Sequence, residues 1–215
     1  MTELEILNLV HQTFHGEAWL NYAMKYFSAL AAGGTISIVL CVVLLIFKKT
    51  RRCGVALAFA LIVDVVVVNL ILKNAVGRER PWTHGELSWA EDFYKQYGID
   101  VSLDYCFPSG HTAVTFCAAA VLVIFYRAKA IPAVILSFII GLSRIYLCEH
   151  YPTDVAVGLV IGTLCGIAGY YIYKCTAVYD RVAGWLTSKR YVAEARLFRL
   201  RRPNKRTQKF LELFI

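Results

Sequence analysis

Three short stretches of the chain set side chains of catalytic type at fixed spacings. One reads Ser143-Arg144, five residues, His150, three residues, Asp154. A carboxylate four residues beyond an imidazole shares its helical face. It can take the proton of one ring nitrogen and leave the other free to attack an electrophile or to carry a proton. A second stretch, Pro108-Ser109-Gly110-His111, heads an apolar run, where a helix start offers free backbone N–H groups and the positive end of its dipole to an anion. The third pairs Lys73 with Arg80-Pro81 across six residues. Two imidazoles, three cations and a helix N-terminus suit reaction at a phosphate-like centre. Lysine serves as a point charge and arginine as a bidentate clamp, while the histidines share attack and proton delivery. At an effective dielectric near 20, one cation about 4 Å from a phosphate charge is worth about 4 kcal/mol before desolvation. Loss of Lys73, Arg80 or Arg144 is therefore expected to cost orders of magnitude in rate.

These groups need a scaffold that gathers three distant stretches. The 215 residues are 58% hydrophobic and only 18% charged, with a mean hydropathy of +0.55. That balance excludes disorder, a coiled coil and a disulfide-stapled miniprotein, and indicates a small all-α transmembrane bundle. Apolar runs predict five spans, at residues 27–47, 55–72, 108–126, 131–147 and 155–173; a sixth would have to come from the Glu-bearing segment before Phe27. In that segment Leu7, Val10, Phe14 and Ala18 fall on one face, which suits an interfacial helix. With Glu3 and Glu5 near its start it does not read as a cleaved signal peptide.

Charge sets the orientation. Residues 48–53 hold four Lys and Arg, residues 127–130 hold two, and residues 174–215 hold eleven against three Asp and Glu, which equals the whole net charge of +8. Alternating spans put all three on one side, the cytoplasmic one by the positive-inside rule. The three chemical stretches then share the opposite face. The expected organisation is a membrane-embedded domain, residues 1–176, followed by a basic amphipathic cytoplasmic tail, residues 177–215, that meets anionic lipid headgroups. Because the net charge sits in that tail beside a hydrophobic span, nucleic acid is not expected as a partner.

Taken singly, each chemical element has an ordinary reading. Lys73, Arg80 and Arg144 would be snorkelling anchors, Ser109 and Thr112 helix caps, and His150 with Asp154 a pairing contact. Their combination on one membrane face reverses that reading. The residues match the motifs KxxxxxxRP, PSGH and SRxxxxxHxxxD of the type 2 phosphatidic acid phosphatases, in the same order and with all eleven fixed positions filled. At a frequency of about 5% per position, coincidence has almost no room. The chain thus resembles this family of integral membrane lipid phosphatases.

The resemblance implies that His150 is the nucleophile, oriented by Asp154, and that His111 is the general acid that later activates water to cleave the phosphohistidine. Lys73, Arg80 and Arg144 would hold the phosphate, with Ser109, Gly110 and Ser143 donating to its oxygens. Asn69, Pro81 and Pro108 would support them. No metal or other cofactor is expected, since the cations supply the charge stabilisation that Mg²⁺ provides elsewhere, and no Cys or His spacing suggests a metal site. The expected substrate is a lipid phosphate or diphosphate. Undecaprenyl diphosphate leads on the analogy, with phosphatidylglycerophosphate and phosphatidic acid behind it. A non-enzymatic lipid-phosphate transporter would also need the cations, but not two histidines and an orienting acid.

Remaining polar residues are expected to be structural. Asp64, inside a span, reads as a buried interhelical partner, Asn69 as a support for Lys73, His11 and His15 as solvated, and Trp82, Trp89 and His84 as an interfacial belt. Cys41, Cys117 and Cys165 read as small hydrophobes. Cys106 and Cys148 leave a disulfide open.

Overall fold

The computed structural model describes residues 1–200, with side chains through residue 176. Two compact units divide the chain, Met1–Tyr173 and Lys174–Ile215; the first contains every candidate site residue. The expected side-chain pattern of the basic tail lies outside the described residues. Every regular element among those described is helical: α1 (Glu3–Phe14), α2 (Ala18–Leu30), α3 (Thr35–Ile46), α4 (Arg51–Asp64), a π-helical stretch (Val65–Leu72), α5 (Lys73–Val76), α6 (Trp89–Tyr97), α7 (Gly110–Tyr126), α8 (Ile131–Tyr146) and α9 (Pro152–Leu200).

Three helical stretches, Arg51–Thr83, Gly110–Tyr146 and Pro152–Thr176, are long and apolar enough to cross a membrane, and Ala18–Leu30 with Ala32–Ile46 makes a fourth if that bent pair counts as one. Two features separate this from the hydropathy reading. The apolar run at 27–47 is continuous in sequence, but Gly33 and Gly34 adopt left-handed φ values of 59° and 74°, which end α2 and restart the chain as α3 with a 44° bend. Hydropathy does not register that break. The stretch Gly110–Tyr146 in turn folds back on itself. Arg127 interrupts it at φ 53°, and the Phe116 ring meets the Phe138 ring edge-on at 4.9 Å, a contact that only antiparallel α7 and α8 allow.

Glycine draws α9 onto α7. A Cβ on Gly158 would sit 2.7 Å from the Ser109 carbonyl oxygen, one on Gly162 2.1 Å from that of Ala113, and one on Gly166 2.6 Å from that of Cys117. The three glycines at four-residue spacing form a stripe along which two backbones touch in parallel, as small residues do where helices associate in lipid. This contact fixes the head of α7, with Ser109 and His111, beside the head of α9, with Asp154. It also lets the Ser109 N–H donate to the Asp154 carbonyl at 3.1 Å.

The N-terminal helices cap the bundle. A Thr2/Glu5 capping box starts α1. Leu7 is buried in a cluster with Leu87, Phe93, Tyr94, Tyr146 and Leu147, against which Val10 packs, whereas Phe14 is exposed. Protein therefore covers Leu7 and Val10 of the face that the sequence assigned to lipid, while Ala18, which opens α2 instead of continuing α1, is exposed like Phe14. His15 is not solvated either. It is buried on the Phe93 ring at 4.2 Å and bonds the Tyr146 carbonyl through Nε2 at 2.9 Å. A carbonyl only accepts, so Nε2 of a neutral His15 carries the proton and His11 Nδ1–H donates to His15 Nδ1, 2.6 Å away. Trp89 stacks on His11 at 3.8 Å and donates to Asn8 at 2.8 Å, so it closes this cap instead of facing a membrane surface.

Candidate active site

The loop after α5 and the turn between α8 and α9 bring the cations together. Arg80 is buried, and its Nη1 donates to the Glu149 carbonyl at 3.0 Å and to Glu149 Oε2 at 2.7 Å. Its Nε donates to the Asp104 carbonyl at 2.8 Å and its Nη2 to Asp104 Oδ1 at 2.5 Å. Lys73 forms an ion pair with the other oxygen of Asp104. Arg144 lies 3.1 Å from Glu149 Oε2 and donates to Ser28 through Nη1, while its Nε and Nη2 make no hydrogen bond among the described residues. Two buried arginines thus share one buried glutamate, which holds them close together against their mutual repulsion. Asp104 is half exposed. Burial alone would raise its carboxyl, but Lys73 and Arg80 outweigh that and hold it below its ordinary value, so it is a carboxylate at neutral pH.

His150 sits at the centre of this charge, almost fully buried. Burial, reinforced by Arg144, Arg80, His111 and Lys73, holds its imidazole well below the ordinary histidine value. A neutral ring with a free lone pair is the form a nucleophile needs. Its Nδ1 has no hydrogen-bond partner among the described residues and lies 3.7 Å from Asp154 Oδ2, within ion-pair range but beyond hydrogen-bond length. Apo geometry of this kind commonly tightens when a substrate is bound. Asp154 is held from several directions. The Tyr151 N–H donates to Oδ2 at 2.9 Å, and Arg78 Nη1 donates to Oδ1 at 2.6 Å.

Arg78 is a residue of this cluster that the sequence reading did not single out. The same guanidinium donates to Thr153 Oγ1 at 2.8 Å and to Glu3 Oε2 at 2.6 Å, and stacks 3.8 Å over the Tyr151 ring. Glu3 in turn accepts from the Thr153 N–H at 3.0 Å and hydroxyl at 2.8 Å. The first turn of α1 is therefore tied to the acid beside His150. The available signal was a third cation, two positions before Arg80, in a chain poor in charge. Glu149 and Asp104 were missed as well, although Glu149 directly precedes His150.

The other expected residues fall in two groups. His111 and Gly110 border the same cavity as Lys73 and Asp104, and a Cβ on Gly110 would meet Asn69 Oδ1 at 3.5 Å and Lys73 Cε at 3.9 Å. Asn69 shares the face of Lys73 but makes no hydrogen bond with it. Ser109 is buried and accepts from Thr112 Oγ1 at 3.0 Å, and Pro108, also buried, follows a cis peptide bond. Pro81 is buried and opens a short 3₁₀ turn. Ser143 donates to its own helix, at the Ile140 carbonyl 2.6 Å away. Cys106 and Cys148 are both free thiols, and Cys106 contacts the Glu79 carbonyl at 3.1 Å, so no disulfide joins them.

The arrangement is two imidazoles, an acid and three cations around one locus, and comparison with known proteins gives it a lineage. Residues 54–176 match the PAP2 superfamily. The chain belongs to that family. As a PAP2 protein it is 26% identical over 121 residues to an undecaprenyl-diphosphatase of Sulfolobus acidocaldarius, covering 56% of this chain and 55% of the relative. Among solved structures, Aquifex aeolicus LpxE superposes with a TM-score of 0.62 at 29% identity, over 77% of this chain and 93% of that one. A transmembrane PAP2-type phosphatidylglycerolphosphate phosphatase from Bacillus subtilis superposes with a TM-score of 0.60 at 22% identity, over 82% and 85%, and speaks for the fold alone. The chain spans about half the length of the first curated relatives it matches. Family and apolar helices together make this a membrane protein of the PAP2 superfamily.

Proposed function

We propose that this chain hydrolyses a lipid phosphate or diphosphate at the extracytoplasmic face of the plasma membrane through a phosphohistidine, without a metal. Support for the reaction comes chiefly from the neutral, buried His150 set among Arg144, Arg80, Lys73 and His111 with Asp154 behind it. His150 Nε2 attacks phosphorus and forms a P–N bond as the P–O bond to the lipid breaks. The leaving oxygen takes a proton from His111. Water then attacks the phosphohistidine, gives a proton to His111 and releases inorganic phosphate, while Nδ1–H faces Asp154 throughout. The cations offset the charge on the phosphoryl oxygens in both steps.

The topology proposed with it has five spans: the bent α2–α3 pair, α4 with its π-helical continuation, α7, α8 and α9, with α1 along the interface. An odd count puts the acidic start and the basic end of the chain on opposite sides, in line with the positive-inside rule. Residues 1–176 are then the catalytic domain and residues 177–215 a tail on anionic inner-leaflet headgroups. Undecaprenyl diphosphate, the substrate named in two relatives, leads, with phosphatidylglycerophosphate and phosphatidic acid behind it.

Phosphate release from a panel of these lipids in detergent, with EDTA present, tests the reading. His150→Ala and His111→Ala are expected to abolish turnover and Asp154→Asn to leave a small residue of it. Release unchanged in His150→Ala would instead favour a binding or transport protein.

A further inference from the structure

Behind His150 the charges alternate. Arg78 lies 2.6 Å from a carboxylate oxygen of Asp154 on one side and 2.6 Å from one of Glu3 on the other. Arg78 and Asp154 alone form a neutral pair. With Glu3 included, the row carries one net negative charge. Burial by itself would raise the Glu3 carboxyl, but the Thr153 N–H, Arg78 and the Thr153 hydroxyl outweigh it and hold the group below its ordinary value. Glu3 is therefore a carboxylate at neutral pH.

The same carboxylate is built into the head of α9. The Tyr151 carbonyl accepts from the Val155 N–H at 3.3 Å, which makes Tyr151 the residue that precedes the helix, and tyrosine has no short side-chain oxygen with which to cap it. Asp154, in the first turn, takes the Tyr151 N–H at 2.9 Å, as the acid of a capping box does. The Thr153 N–H has no such local acceptor. Glu3 Oε1 receives it at 3.0 Å from 150 residues away, and its charge lies at the positive end of the helix dipole. One side chain of α1 thus holds both the helix that carries Asp154 and the cation that bonds Asp154.

Attack makes that charge matter. As the Nε2 lone pair of His150 enters the P–N bond while Nδ1 keeps its proton, the ring becomes an imidazolium. Arg144, Arg80 and Lys73 all disfavour positive charge at His150, and a neutral Arg78–Asp154 pair opposes them only weakly. We infer that Glu3 is a positioning residue for phosphoryl transfer: acting through Arg78, it leaves Asp154 with the surplus negative charge that stabilises the imidazolium, and it fixes the turn from which Asp154 acts. This rests on the lipid-phosphatase reading and adds α1 to the parts that the reaction needs.

Glu3→Gln separates charge from capping, because the amide keeps a carbonyl acceptor for Thr153 and loses only the charge. With phosphatidic acid in detergent micelles, the full-length variant is expected to lose about tenfold or more in kcat, with KM and the thermal unfolding midpoint close to wild type. Glu3→Asp, which keeps the charge on a shorter stem, should recover part of the loss. Because Glu3 acts through Arg78, the double variant Glu3→Gln/Arg78→Ala should be no slower than Arg78→Ala alone. Wild-type kcat in Glu3→Gln overturns the assignment, as does a change confined to KM. A Glu3→Gln protein that does not fold makes Glu3 a structural cap and overturns it too, and so do losses that multiply in the double variant. Failure of the underlying reading looks different: wild type releases no phosphate, or His150→Ala releases it equally well.

Discussion

Asp154 shows how a residue invisible to motif reading can govern one that is not. It is buried, and Arg78 is the cation that bonds its side chain. Arg78 itself is anchored by Glu3. Removing Arg78 leaves the carboxylate without its cation and free to turn from His150, which affects attack more than lipid binding. Arg78→Ala is expected to lower kcat by about 10–100-fold, a loss of about 1.4–2.7 kcal/mol in transition-state stabilisation, with KM little changed. Arg78→Lys should recover part of it by restoring the charge without the fork. Steady-state kinetics in micelles check this, and a KM effect with kcat intact would place Arg78 at the lipid instead. The motif positions Lys73, Arg80, His111, Arg144, His150 and Asp154 could be picked out in the sequence because phosphoryl chemistry demands both residue type and spacing. Arg78, Asp104 and Glu149 were not, because they act on those residues through space, and pairs such as Glu3 with Arg78 have no mark in local sequence.

Among the elements, the apolar runs foretold the helices well and their interruptions poorly. Hydropathy located both ends of α7 and α8 and the starts of α4 and α9 to within a few residues, since a span needs about 20 apolar residues whatever it packs on, but not the ends of α4 and α9. It could not see the Gly33–Gly34 break or the π-helical turn below Lys73, because both are changes of backbone path inside uniformly apolar sequence. The glycine stripe on α9 was also present in the sequence at four-residue spacing, but only contact with α7 gives it a role. That role predicts a steep penalty. A Cβ at Gly162 would fall 2.1 Å from the Ala113 carbonyl oxygen, so Gly162→Val must push α9 off α7 and separate Asp154 from Ser109. It is expected to destabilise by about 3 kcal/mol or more and to abolish activity. Gly16→Ala, where nothing lies within 4 Å, should be silent. Thermal unfolding in detergent compares the two, and a stable, active Gly162→Val would refute the close α7–α9 contact.

At the scale of the whole molecule, the fold gathers into one locus groups that a lone helix could not assemble. The cap of α1 and α6 packs beside it, and a cavity bordered by Lys73, Asp104 and His111 reaches residues of α3 and α4. The protein-facing side of α1 was not legible, because an amphipathic face reads the same whether lipid or protein covers it. Central to the account is covalent attack by His150 on the phosphoryl group. The direct measurement is to quench turnover of a ³²P-labelled lipid phosphate with alkali, which preserves phosphohistidine, and to map the label by peptide mass spectrometry. The account predicts label on His150 in wild type, more of it in His111→Ala if attack proceeds there at all, and none in His150→Ala. Full phosphate release by His150→Ala, or label on a different residue in wild type, would contradict it.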